Sequence, residues 1–330
     1  MKKFFRIIAY IFGGLIILMV GAVAYLQFAF PNVSPAEELK IEYTPDRIAR
    51  GAYLANHVTV CMDCHSTRDF SLFSGPPTPG TLGAGGDRFD QSIGLPGVFY
   101  AKNITPHGIS DYSDGELYRV ITTGVTNDGR PMFPLMPYSY YGKMDPEDIY
   151  SIISYIRSLP AVQTEIPDSK ADFPVNLLLR TMPVNATPTP KPDPSDQVAY
   201  GAYMINASGC AECHTQVDPQ GTIIKDQIYA GGRSFLFPDG SKVTSANLTQ
   251  DKETGIGSWT EEMFVRKFTQ YADSGYQIPK IPAGEFNSIM PWTMYSGMKE
   301  EDLKAIYAYL KTVEPIPNQV VKFTPAGSSE

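Results

Sequence analysis

Cysteine is scarce in this sequence, with four in 330 residues. All four fall in one pattern that occurs twice. Cys61-Met62-Asp63-Cys64-His65 and Cys210-Ala211-Glu212-Cys213-His214 both read C-x-x-C-H. No thiol is left over for a disulfide framework or a Cys₄ zinc site. Acid is missing from residues 1–30, and charge of either sign is missing from Ile7 to Phe30. Basic excess is missing from everything that follows. The chain carries −8 overall and −11 beyond residue 30, which excludes nucleic acid as a natural partner. Histidine is nearly missing from the second half, where His214 is the only one.

The string C-x-x-C-H marks covalent attachment of a c-type haem. Two thiols three positions apart in a helical turn each form a thioether with a haem vinyl group, and the next residue, His, reaches the iron. A redox dithiol or half a zinc site uses the same two cysteines. The trailing His in both copies favours haem over either. Two covalently bound haem c groups are expected, held by Cys61, Cys64, Cys210 and Cys213, with His65 and His214 as iron ligands.

The N-terminus reads as a membrane anchor over residues 1–30. As a helix, Ile7 to Phe30 extends about 36 Å, against a hydrocarbon core of about 30 Å. Lys2, Lys3 and Arg6 ahead of it favour a cytoplasmic N-terminus and an exported body. Ala22-Val23-Ala24 resembles a signal-peptidase site, but the apolar run continues past it, which favours a retained single-pass anchor in the inner (cytoplasmic) membrane. Either reading places the rest of the chain on the periplasmic side, where c-type haems are attached.

The body contains one unit twice. Gly51-Ala52-Tyr53-Leu54 recurs as Gly201-Ala202-Tyr203-Met204, Gly85-Gly86 as Gly231-Gly232, and Asn103-Ile104-Thr105 as Asn247-Leu248-Thr249. Met136-Pro137-Tyr138 recurs as Met290-Pro291-Trp292, and Met144, Asp148 and Tyr155 as Met298, Asp302 and Tyr309. Two long copies mean duplicated domains, over 40–186 and 196–316, and not a solenoid. Alternating prolines at 187–195 read as a stiff, extended linker, and 317–330 as a tail. Residues 173–179 are unusually apolar for a linker and are expected to cover a domain surface, with a partner or membrane contact as the alternative.

Each unit reads as helices joined by long loops. Thr44-Pro45 opens a helix, as does Ser195 or Asp196 in the second copy. Ser113 with Glu116 is a capping box. Asp145-Pro146 starts the last helix of the first unit, and Lys299 to Leu310 is its counterpart. Loops or short strands are expected over 66–102 and 215–246.

Each unit resembles a class I cytochrome c domain. The pair resembles the membrane-bound cytochrome c subunits of bacterial periplasmic alcohol and gluconate dehydrogenases, on the Asn-Ile/Leu-Thr and Met-Pro-Tyr/Trp elements and Gly297-Met-Lys-Glu-Glu-Asp-Leu303. Those subunits usually carry three attachment strings where this chain has two. The resemblance implies a mainly α fold: an N-terminal transmembrane helix, then two tandem cytochrome c-like helical domains with long loops. It implies that the first and last helices of each unit cross closely, with Gly51 and Tyr53 facing Tyr155, and Gly201 and Tyr203 facing Tyr309. It also implies a distal Met on each iron. Among the methionines shared by both copies, Met144 and Met298 suit a packing role beside a helix N-cap. Met136 and Met290, each before a proline in a loop, are the expected ligands. His57 and His107 are expected at the surface or the haem edge. Arg88 and Arg233 are candidates to meet the haem propionates.

His/Met ligation fills both axial positions and leaves outer-sphere electron transfer as the available chemistry. The expected role is an electron-transport protein of a respiratory chain, not an enzyme, with no small-molecule substrate. Electrons would arrive from a dehydrogenase or quinol-oxidising partner and leave to an oxidase or soluble cytochrome. The competing readings are a di-haem peroxidase or thiosulfate-type oxidoreductase, which needs an open or labile iron, and a fused cytochrome subunit of a haem-copper oxidase.

Overall fold

The computed structural model describes residues 1–218 and 221–328. It is mainly helical. The expected 215–246 loop and 317–330 tail therefore include positions 219–220 and 329–330 that lie outside the described residues.

Helix α1 (Lys2–Ala29) has no acidic residue in its first turn and buries no side chain against the rest of the protein. Its 28 residues rise about 42 Å, and among the described residues it is the one helix long and apolar enough to cross a membrane, as a signal sequence near an N-terminus also is.

Two sets of elements follow in the same order. In the first, α2 (Pro45–Tyr53) begins at Thr44, whose side chain accepts from Arg47 N at 3.3 Å, with Pro45 in the first turn. Then come α3 (Cys61–Cys64), an antiparallel pair of β1 (Arg88–Phe89) and β2 (Gly97–Tyr100), α4 (Asp114–Thr123), α5 (Tyr138–Tyr141) and α6 (Pro146–Ser158). Strand β3 (Lys170–Ala171) then adds to β2, and α7 (Val175–Leu178) follows. The second set is α8 (Gln197–Ala207), α9 (Cys210–His214), β4 (Ser234–Leu236) with β5 (Lys242–Thr244), α10 (Glu261–Thr269), α11 (Trp292–Tyr295) and α12 (Glu300–Leu310). Strand β6 (Phe323–Thr324) closes that sheet. The segment after 316 is thus tied into a sheet, as β3 is in the first set. Ser113 and Glu116 form the capping box at α4, and Asp196, not Ser195, caps α8.

Helices α2 and α6 cross at Gly51, where a Cβ would fall on the Ser151 carbonyl and 2.8 Å from Tyr155 Cβ. Helices α8 and α12 cross at Gly201, where a Cβ would fall on the Ala305 carbonyl and 3.0 Å from Tyr309 Cβ. Only glycine permits backbones this close. Met144 and Met298 are buried beside the last helices, as packing residues should be.

The two sets are not separate beads. One buried cluster runs through both, joining Ile149, Ile153 and Met144 to Met204, Leu303 and Ile306. Tyr53 Oη donates to Asp302 at 2.5 Å and accepts from Lys299 N, while Tyr203 Oη donates to Asp148 at 2.7 Å and accepts from Asp145 N. The proline-rich stretch 187–195 is extended but not free. Thr187 N donates to Gly142 O (2.8 Å), Thr189 N to Lys143 O (3.1 Å) and Lys191 N to Asp145 (2.7 Å).

Candidate haem sites

Both C-x-x-C-H strings form single helical turns, α3 and α9, entered through a left-handed residue: Val60 at φ 44° and Gly209 at φ 62°. Ten positions separate Gly51 from Cys61, but nine separate Gly201 from Cys210. The extra residue is absorbed by a π-helical stretch, Leu54–Val58, that continues α2, the usual accommodation of a one-residue insertion in a helix.

The two histidines sit alike. His65 Nδ1 donates to Lys102 O at 2.7 Å, and His214 Nδ1 to Ala246 O at 2.7 Å. A ring nitrogen facing a carbonyl must carry the proton, so Nε2 is left with its lone pair, the form that ligates a metal. Burial also pulls both rings below the ordinary histidine range, against the opposing carbonyl bond, and so keeps them neutral.

The repeated Asn-Ile/Leu-Thr element fixes those carbonyls. Asn103 Oδ1 accepts from Thr105 N (2.9 Å) and Oγ1 (2.7 Å), and its amide donates to Val162 O (2.8 Å). Asn247 does the same with Thr249 N and Oγ1, and donates to Ile316 O (2.8 Å). Each Asn thus pins the residue just after the His-accepting carbonyl to the chain beyond the last helix. Gly85 N and Gly231 N donate to the His65 and His214 carbonyls at 2.9 and 2.8 Å. A Cβ at Gly85 would lie 2.7 Å from the Lys102–Asn103 backbone. Lys102 and Ala246 therefore matter through their carbonyls, which no side-chain pattern reveals; the repeat of the Asn-x-Thr element was the available signal.

The thiols are unpaired. Cys61 and Cys210 are half-buried, Cys64 and Cys213 exposed. Burial pushes Cys61 up and Cys210 up to about 12, away from the lowered thiol pKa of redox dithiols. Among the described residues, no group of three or more His, Cys, Asp or Glu side chains gathers as a metal cage. What the two strings present is two thiols plus one imidazole nitrogen each, which fits a haem carrying its own four equatorial nitrogens.

Met136 and Met290 occupy equivalent turns. Tyr138 N donates to Met136 O and Trp292 N to Met290 O, both at 2.8 Å, across prolines at φ −78°, ψ 55° and φ −79°, ψ 67°. These are inverse γ-turns. Both methionines are partly buried against the main core. The short helices that follow are bound to the attachment strings: Tyr141 Oη donates to Thr59 O (3.0 Å), and Tyr295 Oη to Ser208 O (2.9 Å). Each Met-Pro turn is thus brought against its own string, two residues ahead of the first cysteine.

The second turn has an additional clamp from the first set. Ser74, fully buried, donates from Oγ to Met290 O at 2.6 Å and accepts from Trp292 N at 2.8 Å. Arg68 donates to Gly75 O and Ser74 O (2.9 and 3.0 Å) and pairs with buried Asp63 at 3.0 Å. Burial still pushes the Asp63 carboxyl up to about 6 against the pull of Arg68. A continuous polar chain therefore runs from the first string to the second methionine turn. His57 is not a free surface residue: its Nδ1 donates to Met294 O at 2.8 Å, across the interface. His107 is exposed in a loop. Arg88 pairs with Asp90 (2.9 Å) and Arg233 with Glu212 (3.0 Å), so both guanidiniums already have carboxylate partners within the chain.

No family model matches the chain. It is 28% identical over 308 residues to the cytochrome c subunit of a quinone alcohol dehydrogenase from Gluconacetobacter polyoxogenes, covering 85% of this chain and 60% of that protein. It is 26% identical over 288 residues to the cytochrome c subunit of a gluconate 2-dehydrogenase from Pantoea cypripedii, covering 81% and 59%. It is 26% identical over 271 residues to a di-haem cytochrome c-type protein from Cereibacter sphaeroides, covering 78% and 82%. The chain thus spans about six-tenths of the length of the dehydrogenase subunits it matches. Over most of its length, its homologues are cytochrome c subunits of quinone-linked alcohol, gluconate and fructose dehydrogenases, and a di-haem cytochrome c.

Proposed function

We propose that this chain is a membrane-anchored di-haem cytochrome c that relays electrons between a periplasmic dehydrogenase or quinol-oxidising partner and a terminal oxidase or soluble cytochrome. The two tandem domains, 40–186 and 196–316, each hold one haem. The observation that carries the reading is the pair of equivalent histidines, each with Nδ1 committed to a backbone carbonyl and Nε2 left as a base.

Bound haem c supplies a one-electron iron couple. The chain's residues do the rest. Cys61, Cys64, Cys210 and Cys213 hold the macrocycles covalently, so the cofactor cannot be lost to solvent. His65 and His214, oriented by Lys102 O and Ala246 O, would ligate the irons. Met136 and Met290, on turns fixed by Pro137 and Pro291, would supply the second ligands. An iron held by both residues would have no place for substrate, which favours electron exchange over bond chemistry. The acidic body, net −11 beyond residue 30, suits docking to a basic face of a redox protein, where charge raises the association rate. Helix α1 keeps the relay at the inner membrane. Relatives named as dehydrogenase subunits support a dehydrogenase as donor.

The test is the full chain made in a host that attaches c-type haem. Two haems per chain, retained through denaturing electrophoresis, are expected. Cys210→Ala with Cys213→Ala should halve the haem content and leave one low-spin His/Met spectrum. A wild-type chain with no covalent haem, or with a high-spin iron that turns over peroxide, overturns the proposal.

A further inference from the structure

Helix α1 is not the only part of the chain suited to lipid. Residues 173–190 carry a single charge, Arg180, between Asp172 and Lys191, in a body that is otherwise acidic. The segment is only partly covered, with Val175, Leu177 and Leu179 half-buried. Phe173 is 80% exposed, Leu178 47% and Val184 49%, and α7 with the following turn, Leu179–Thr181, packs against the end of α1.

Three features fix where this segment stands. The Arg180 guanidinium donates twice, from Nε and Nη2, to Phe30 O at 2.9 and 2.6 Å. Ser34 N donates to Asn185 Oδ1 at 2.8 Å. On the other side, β3 pairs with β2 and Asp172 N donates to Pro96 O at 2.8 Å. The segment is therefore stapled between the exit of α1 and the first haem unit. Its height follows from the anchor. No charge occurs between Arg6 and Glu37, and the stretch of α1 from Ile7 to its end at Ala29 rises about 35 Å against about 30 Å of hydrocarbon, so Phe30, the next residue, lies within a few ångströms of the core's edge. A segment bonded to Phe30 O lies at the same depth. An arginine there keeps its charge at the headgroups while its neighbours point into the acyl region, and the absence of acid avoids repulsion from anionic lipid.

We infer that residues 173–184 lie in the headgroup–acyl boundary of the membrane that α1 crosses, as a second, monotopic contact that sets how the first haem unit faces the bilayer. This rests on the anchor reading. A lone transmembrane helix leaves the body free to tumble; a contact bonded to its exit and paired to β2 does not.

The test uses the haem-loaded full chain in phospholipid nanodiscs. The four native thiols are consumed by haem, so Phe173→Cys, Leu15→Cys and Ser274→Cys each offer one site for a nitroxide label; Phe173 and Ser274 are exposed, so folding is not at risk. The readout is collision with oxygen against collision with a water-soluble nickel chelate. The label at 173 should show an oxygen-to-nickel ratio severalfold above that at 274 and on the side of the label at 15. A ratio at 173 equal to that at 274, with 15 still favouring oxygen, overturns the inference and leaves the anchor standing. Nickel preference at both 15 and 173 overturns both.

Discussion

The clamp on the second methionine turn makes the sharpest prediction. Ser74 is buried and bonds both Met290 O and Trp292 N. Ser74→Ala removes the hydroxyl and leaves the carbonyl short of a buried donor. Trp292 N–H keeps its bond within the turn. The loss is therefore that of one to two buried hydrogen bonds, about 1.5–3 kcal/mol. Ser74 also sits at φ 68°, where a side chain costs about 1 kcal/mol or more. Ser74→Gly loses the same hydroxyl but relieves that strain, so it should be about 1 kcal/mol milder. At tenfold per 1.4 kcal/mol, the proposed Met290 ligation should become about ten- to a hundredfold easier to displace in the alanine variant. The assay is imidazole titration of the oxidised protein, followed by the far-red sulfur-to-iron band, in a Met136→His background so that only Met290 contributes. Among the described residues no side chain donates to Met136 O, so in the otherwise native protein the first site's phase should not move. An unchanged midpoint in Ser74→Ala, or a shift confined to the Met136 phase, refutes the reasoning.

Other consequences are open to test. Gly201→Ala gains about 1 kcal/mol of helix propensity but drives a Cβ onto the Ala305 carbonyl, so the urea midpoint should fall by the equivalent of about 2–4 kcal/mol; a rise would mean that α8 and α12 do not cross there. Burial raises the Asp148 carboxyl, but the Arg50 fork at 2.7–3.0 Å, the Tyr203 hydroxyl and Lys191 outweigh it and hold it below the usual range. A depressed folded pKa contributes stability above pH about 4 that is lost as pH falls through it. Arg50→Gln should cost about 3 kcal/mol at neutral pH and less once the carboxyl is protonated, which denaturation at about pH 7 and about pH 2 would resolve; an equal loss at both would count against the pair. Gly209→Val should destabilise by about 2 kcal/mol, since a β-branched residue resists positive φ, whereas Val60→Gly should lie within about 1 kcal/mol of wild type, strain relief offsetting lost packing; thermal melts of both would decide.

Local features were legible in the sequence because they depend on neighbours a few residues away. Thr44, Asp196 and the Ser113–Glu116 box sit where capping chemistry puts them. The crossing glycines were legible through the family resemblance, which implies a close crossing of the first and last helices that only a residue without a side chain allows. Features carried by backbone atoms were not. Lys102 and Ala246 act through carbonyls, and any residue supplies one. Contacts between remote segments left no period to read. Ser74 meets Met290 across 216 positions, and Arg180 meets Phe30 across 150, so both loops looked like ordinary polar or apolar connections. The prolines at 187–195 do give the stiff, extended chain expected of them, and backbone bonds to Gly142 and Lys143, which composition does not announce, hold it against the first unit.

The interface explains the irregularity between the copies at their first helices. The first helix of each unit, α2 with its π-helical continuation and α8, braces the other unit's methionine-bearing corner: Tyr53 and His57 reach Asp302 and Met294 O, while Tyr203 and Asn206 reach Asp148 and Tyr140 O. The bracing residues are four apart in the first unit and three apart in the second. On regular helices those pairs would not point alike, because one residue turns the face by 100°. The π-helical stretch begins at Leu54, directly after Tyr53, and spans the extra residue. It returns His57 to the position that Asn206 holds and still delivers Cys61 to the turn that Cys210 occupies. The repeat therefore aligns from the glycine up to Tyr53 and from the cysteine beyond the π-helical stretch. A one-residue deletion between Tyr53 and His57 would restore the spacing of the second unit, so it should remove the π-helical stretch and keep both the His57 contact and the placement of the first string.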